Sequence, residues 1–251
     1  MNKENLTLFF VCLFFLIFSS CSQVSKAKDK KNQAESLRNL GEAYLASGNS
    51  TIALRELLKS NALNPEDHFT HNDLGLAYLA KGRNDKALSH FKKAVELKPD
   101  YSPAINNMGT TYLAKKEWNK AVEVLLPLTE NILYGTPQYA ETNIAFAYFN
   151  LKEYEKAKIH YENSIDIAPE YVVPIRGLAI LYKTTGRYQK ALELINKAIS
   201  IAPKSGELYF QKGKILELTG EIGEAKKAYK KAVKKGNQVI SKLAGEAISN
   251  L

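Results

Sequence analysis

Cysteine and histidine are almost missing from this sequence. Its 251 residues hold two cysteines, Cys12 and Cys21, and four histidines, His68, His71, His90 and His160. A zinc centre needs three or four converging ligands. His68 and His71 are three apart, yet His71 falls at a packing position. His90 and His160 have no acidic or cysteine cluster beside them. There is no Gly-rich phosphate loop and no Gly-x-Ser-x-Gly turn. Aspartates and glutamates are scattered over predicted helix exteriors, where solvated pairs are the default. The one long apolar run, Leu6 to Phe18, is about thirteen residues, short of the roughly 20 that span a bilayer as a helix. These absences predict no enzyme, no cofactor, no metal and no small-molecule substrate.

What the chain has is a pattern that returns six times, mostly at a spacing of thirty-four. Its second copy reads Leu74-Gly75, Tyr78, Ala87, Phe91, Ala94, Pro99. The first reads Leu40-Gly41, Tyr44, Ala53, Leu57, Pro65, and the third Met108-Gly109, Tyr112, Ala121, Leu125. Ile144-Ala145, Tyr148, Ala157, Tyr161, Pro169 and Leu178-Ala179, Tyr182, Ala191, Ile195, Pro203 follow, then the weakest, Gly213, Leu216, Ala225, Tyr229, Ala232. Gly or Ala at the eighth position and Ala at the twentieth let two helices approach closely. Gly48, Gly82, Gly186 and Gly220 sit where a first helix ends and a left-handed residue is needed. Pro65, Pro99, Pro169 and Pro203 stop the second helix.

The pattern resembles the tetratricopeptide repeat, whose unit is two antiparallel helices. One unit cannot bury its apolar face alone, so neighbours must stack. The predicted fold is all-α, a right-handed solenoid of six helix pairs over 34–67, 68–101, 102–137, 138–171, 172–205 and 206–237. The stretch Val239, Ile240, Leu243, Ala247, Ile248, Leu251 predicts a capping helix over 238–251.

The amino terminus reads as an address. Lys3 precedes the short apolar run, and residues 1–20 fit a signal peptide. Phe18-Ser19-Ser20-Cys21 resembles the bacterial lipobox, with Phe18 where Leu is usual. Cys12 would be discarded, leaving Cys21 alone, without a disulfide partner, as an acyl acceptor. Ordinary signal-peptide cleavage and an uncleaved anchor are the alternatives. Ser22 after the cysteine fits export to the periplasmic face of the outer membrane. The polar stretch to Gln33 reads as a flexible tether, so that 21–33 hold lipid and linker.

The formal net charge is +9. An exported address and the lack of any nucleic-acid module argue against nucleic acid. Lys226, Lys227, Lys230, Lys231, Lys234 and Lys235 read first as the solvated face of the last repeat helix.

Tetratricopeptide arrays usually bind partners on the face lined by the first helix of each unit. Positions two, five, nine and twelve supply Phe69, Asn72, Leu76 and Leu79, then Asn106, Thr110 and Leu113. The next units supply Tyr139, Thr142, Phe146 and Phe149, then Arg176, Ile180 and Lys183. Either these pack between helices or they form an apolar groove for an amphipathic or extended segment, with Tyr139, Phe146 and Phe149 as anchors.

The third unit breaks period. Pro127 falls late in its second helix, Thr129 to Pro137 replaces the usual turn, and the next register lies thirty-six residues on. Together with Asn106-Asn107-Met108-Gly109, Leu125-Leu126, Leu133-Tyr134 and Glu141-Thr142-Asn143-Ile144, this resembles the type IV pilus pilotins. That resemblance implies an outer-membrane lipoprotein that binds secretin subunits during pore assembly. The alternative is a general periplasmic scaffold or adaptor for cell-wall enzymes.

Overall fold

The computed structural model describes residues 28–131 and 134–251. Every regular element among them is a helix. The order is α1 (28–46), α2 (Ser50–Leu63), α3 (His68–Ala80), α4 (Asn84–Leu97), α5 (Ser102–Ala114), α6 (Trp118–Glu130) and α7 (Pro137–Asn150). Then come α8 (Tyr154–Ile167), α9 (Val172–Thr184), α10 (Tyr188–Ile201), α11 (Gly206–Leu218), α12 (Ile222–Lys235) and α13 (Gln238–Ser249). Within each unit, helices joined by short turns run antiparallel. Six pairs and a closing helix match the predicted architecture. The described residues cluster into two compact units that divide between Thr111 and Tyr112.

In the first unit, Ala53, Leu57, Leu74 and Ala77 are buried together, with Tyr44, Leu45 and Leu54 against them. Gly75 explains how α3 and α4 come so close. A Cβ there would stand 2.3 Å from Cε1 of Phe91, which is fully buried. In the second unit, Ala157, Ala191 and Ala225 have no exposed surface. They belong to buried cores that also hold Tyr161, Ile195 and Tyr229.

All six repeats end their first helix with the same hydrogen-bond pair. In the fourth, Lys152 N–H donates to Phe149 O at 3.1 Å and Glu153 N–H to Tyr148 O at 3.0 Å. This is the Schellman arrangement, which needs a left-handed residue. Gly48, Gly82, Gly186 and Gly220 supply it with φ of 77, 68, 74 and 79°. In the third and fourth repeats, Lys116 and Lys152 do so instead, at φ 60 and 63°.

Three sequence expectations need correction. Residues 28–33, expected to be tether, are helical and begin α1. Four of the six, Lys28, Lys30, Lys31 and Gln33, are good helix formers, so the helix propagates beyond its packed stripe, which starts at Ala34. Thr129 and Glu130, expected in the irregular turn, remain in α6 despite Pro127, Pro137 opens α7, and the described residues between them, 131 and 134–136, are not helical. Ile132 and Leu133 lie outside the described residues. In α13, Ala244 is buried, and Ile240, Ala247, Ile248 and Leu251 pack beside it against the core of α11 and α12. Val239 and Leu243, expected to share that stripe, are 65% and 41% exposed. They lie one helical step round from Ile240 and Ala244.

Candidate functional site

The first helices of the last three repeats, α7, α9 and α11, touch in sequence along one face, α7 against α9 and α9 against α11. On that face a cavity of about 170 Å³ opens between α7 and α9. Thr142, Phe146 and Phe149 line it from α7, and Val173, Arg176 and Ile180 from α9. Five of these six were named from repeat position; Val173, at position two of the fifth unit, was passed over. Phe146 and Val173 stay exposed at 43% and 40%, so they form an apolar rim. Trp118 of α6 meets Phe146 edge-on with ring centroids 5.8 Å apart, which holds the phenyl ring upright.

The floor comes from a residue missed in the sequence. Gly177 sits in the middle of α9, where glycine costs about 1 kcal/mol relative to alanine. A Cβ there would lie 2.5 Å from Cε1 and Cζ of Tyr161, so its absence admits that ring from α8 beneath the cavity. Burial pushes the Tyr161 hydroxyl above the usual phenol range, and the Arg176 charge opposes this. The signal was present: an interior helical glycine at a repeat position where the pattern asks for none.

Other candidate residues are placed differently. Thr142 Oγ1 donates to Gln138 O at 2.8 Å and lies 2.8 Å from Ser164 Oγ, so its polar group faces α8 and the side chain is buried. Phe149 is half-buried, packing on Tyr154 and the core of α7 to α11. Leu113 is buried. Tyr139 is 43% exposed and meets Tyr171 edge-on, centroids 5.3 Å apart. Lys183 is half-buried at the far end of the same face, and its Nζ donates to Gln211 Oε1 at 3.2 Å. Burial, then Lys214, pulls the Lys183 ammonium below the usual lysine range, with Glu207 opposing.

In the first unit the face is more polar. Phe69 is 40% exposed but ringed by neighbours: the Arg38 guanidinium lies 5.0 Å from its centroid, and His68 and Tyr101 pack on it. Asn72 is a buried hydrogen-bonding residue, not a groove contact. It accepts from Asn107 Nδ2 at 2.9 Å and donates to Asp73 Oδ1 at 3.3 Å. Leu76, Leu79 and Asn106 are half-buried, and Thr110 is exposed. In α7 the helix twist explains the split: positions two and nine, Tyr139 and Phe146, point outward, while position five, Thr142, turns toward α8.

The histidines serve packing. His90 stacks on Tyr78 at 5.3 Å and its Nδ1 lies 3.1 Å from that of His71. His160 stacks on Tyr148 at 5.5 Å and holds Glu141 at 2.6 Å. Among the described residues no three metal-ligating side chains converge, and no helix is long and apolar enough to cross a membrane. Cys21 lies outside them.

Models of the tetratricopeptide repeat match residues 68–101, 138–204 and 206–234, together about half of the chain. Among solved structures, PilF of Pseudomonas aeruginosa superposes with a TM-score of 0.73 over 87% of this chain and 99% of PilF, at 17% identity. PilW, described as a widely conserved type IV pilus biogenesis factor, gives 0.77 over 84% and 97%, at 16% identity. At these identities the likeness is one of fold. Among curated proteins, the O-mannosyl-transferase TMTC1 of Homo sapiens is 30% identical over 88 residues, 35% of this chain and 10% of TMTC1. The chain spans about a tenth of the length of the curated relatives it matches.

Proposed function

We propose that this chain, which belongs to the tetratricopeptide-repeat family, is a protein-binding assembly factor for the type IV pilus secretin. The observation that carries protein binding is the rimmed cavity on α7 and α9. Phe146 and Val173 remain outside the core although Trp118, Tyr161 and Gly177 are arranged to support an opening there. An apolar rim around a preformed concavity favours a partner side chain. The likeness in fold to PilF and PilW over most of each chain supports the pilus assignment. The interrupted third repeat and the Asn106-Asn107-Met108-Gly109 stretch point the same way.

The same reading places the protein on the periplasmic face of the outer membrane, held by acyl chains on Cys21. Several buried chains anchor stably, whereas one does so only marginally. The sequence Phe18-Ser19-Ser20-Cys21 supports this. Metabolic labelling with a fatty acid should mark the protein and fail to mark Cys21→Ala; persistent labelling of that variant would reject the anchor.

The functional test is a deletion strain blotted for heat-resistant secretin multimers. Multimers should be lost on deletion and restored by the native chain. Normal multimers and pili in the deletion strain would reject the secretin assignment and leave a general envelope scaffold as the better account.

A further inference from the structure

The cavity on α7 and α9 is bordered by cations that the chain leaves largely uncompensated. Arg176 forms part of its wall and makes no ion pair among the described residues. Lys183 lies on the next turns of α9, and its only hydrogen-bond partner among them is the neutral amide of Gln211. Lys214 stands over Phe210 on α11, its Nζ 5.6 Å from the ring centroid. Three acidic groups lie near this face. Glu207 accepts from Gln211 Nε2 at 3.0 Å. Glu141 is turned to His160 of α8. Glu217 accepts from the Tyr229 hydroxyl at 2.7 Å. Three cations therefore face one outward carboxylate, and Lys183 is already partly stripped of water.

Resting on the reading of this cavity as a protein-binding site, we propose that its occupant is an acidic peptide segment carrying one aliphatic anchor. The anchor sits against Phe146, Val173 and Ile180 on the Tyr161 floor. Flanking Asp or Glu carboxylates pair with Arg176 on one side and with Lys183 and Lys214 on the other. Size supports a single anchor: about 170 Å³ is well below the roughly 300–1,000 Å³ of small-molecule sites. Charge selects what surrounds it. A basic segment would bring like charges beside a half-buried lysine, whereas carboxylates replace the water that Lys183 has lost. Arginine in the wall adds geometry, because its planar fork meets a carboxylate through two parallel hydrogen bonds.

The test uses the full-length chain in non-ionic detergent and three fluorescent decapeptides, read by anisotropy. Each has a central Leu, flanked by Asp and Glu, by Asn and Gln, or by Lys. The acidic peptide should bind about tenfold more tightly than the neutral one at low salt, and the advantage should shrink as salt rises. Arg176→Gln with Lys183→Gln should erase that advantage, leaving the acidic and neutral peptides with equal affinity. Both side chains are only half-buried, so circular dichroism should be unchanged. Equal binding of acidic and neutral peptides, both weakened by Phe146→Ala, would overturn the charge preference while keeping the cavity as a binding site. Tightest binding of the lysine peptide would also overturn it. Binding of none would sink both the preference and the cavity as a peptide site.

Discussion

Lys152→Gly should stabilise the protein, although it removes a side chain. Lys152 closes α7 in the left-handed region at φ 63°. The turn fixes that conformation through the Lys152 and Glu153 N–H bonds to Phe149 O and Tyr148 O. A residue with a Cβ pays about 1–2 kcal/mol to stay there. Glycine relieves the strain but loses about 0.4–1 kcal/mol through a freer unfolded chain. The net gain is about 0.5–1 kcal/mol, a rise in melting temperature of about 1–4 °C for a chain of this size. The Lys152 side chain is exposed and makes no ion pair among the described residues, so little is lost with it. Lys152→Ala is the control, since it removes the charge and keeps the strained φ. Lys116→Gly, at φ 60°, should repeat the gain, and Gly186→Ala should reverse it. Thermal melts by circular dichroism read all four. A Lys152→Gly variant no more stable than Lys152→Ala would refute the strain argument.

Gly75→Ala should destabilise by about 1–3 kcal/mol, because its methyl meets the Phe91 ring with no space to move. Phe91→Leu in the same chain should recover part of that loss, and a double-mutant cycle in denaturant checks the coupling. Asp73→Asn should change the pH dependence of stability. Burial, then the Glu42 carboxylate, pushes the Asp73 carboxyl up to about 7. A raised carboxyl favours the folded state at low pH, and that contribution is lost as pH rises from the unfolded value toward 7. The variant's melting temperature relative to the native chain should therefore be higher at pH 8 than at pH 5. An equal difference at both would exclude Asp73 as the titrating group. Phe146→Ala with Val173→Ala should weaken partner binding by about tenfold while leaving the helical signal intact, since both side chains stand at the rim. Loss of helicity would mean they belong to the core.

The period carried most of the fold, and the reasons are local. Gly41, Gly75 and Gly213 each admit a large residue sixteen positions on, Leu57, Phe91 or Tyr229. Where the eighth residue is Ala179, the residue sixteen positions on is Ile195, and both are fully buried. Such paired choices are visible in a single sequence. Less visible was the conformation of Lys116 and Lys152, because lysine carries no signal for positive φ and only the register of the repeat demands it. The lining of the cavity between α7 and α9 was half legible. Repeat position identified Phe146, Arg176 and Ile180, but position alone could not show that Asn72 and Thr142 turn inward to Asn107 and Ser164. Nor did the pattern reveal Gly177, whose role appears only when Tyr161 is seen beneath it. The start of α1 was misjudged because polar residues that pack against nothing can still extend a helix.

The account turns on whether a secretin segment occupies the cavity between α7 and α9. A photoreactive phenylalanine analogue in place of Phe146 tests this in growing cells. Irradiation should yield an adduct that antibodies identify as a secretin subunit, and Lys183→Gln with Arg176→Gln should reduce it. The same analogue at exposed Ile159 on α8 should give none. No secretin adduct from position 146, in cells that assemble secretin normally, would contradict the account.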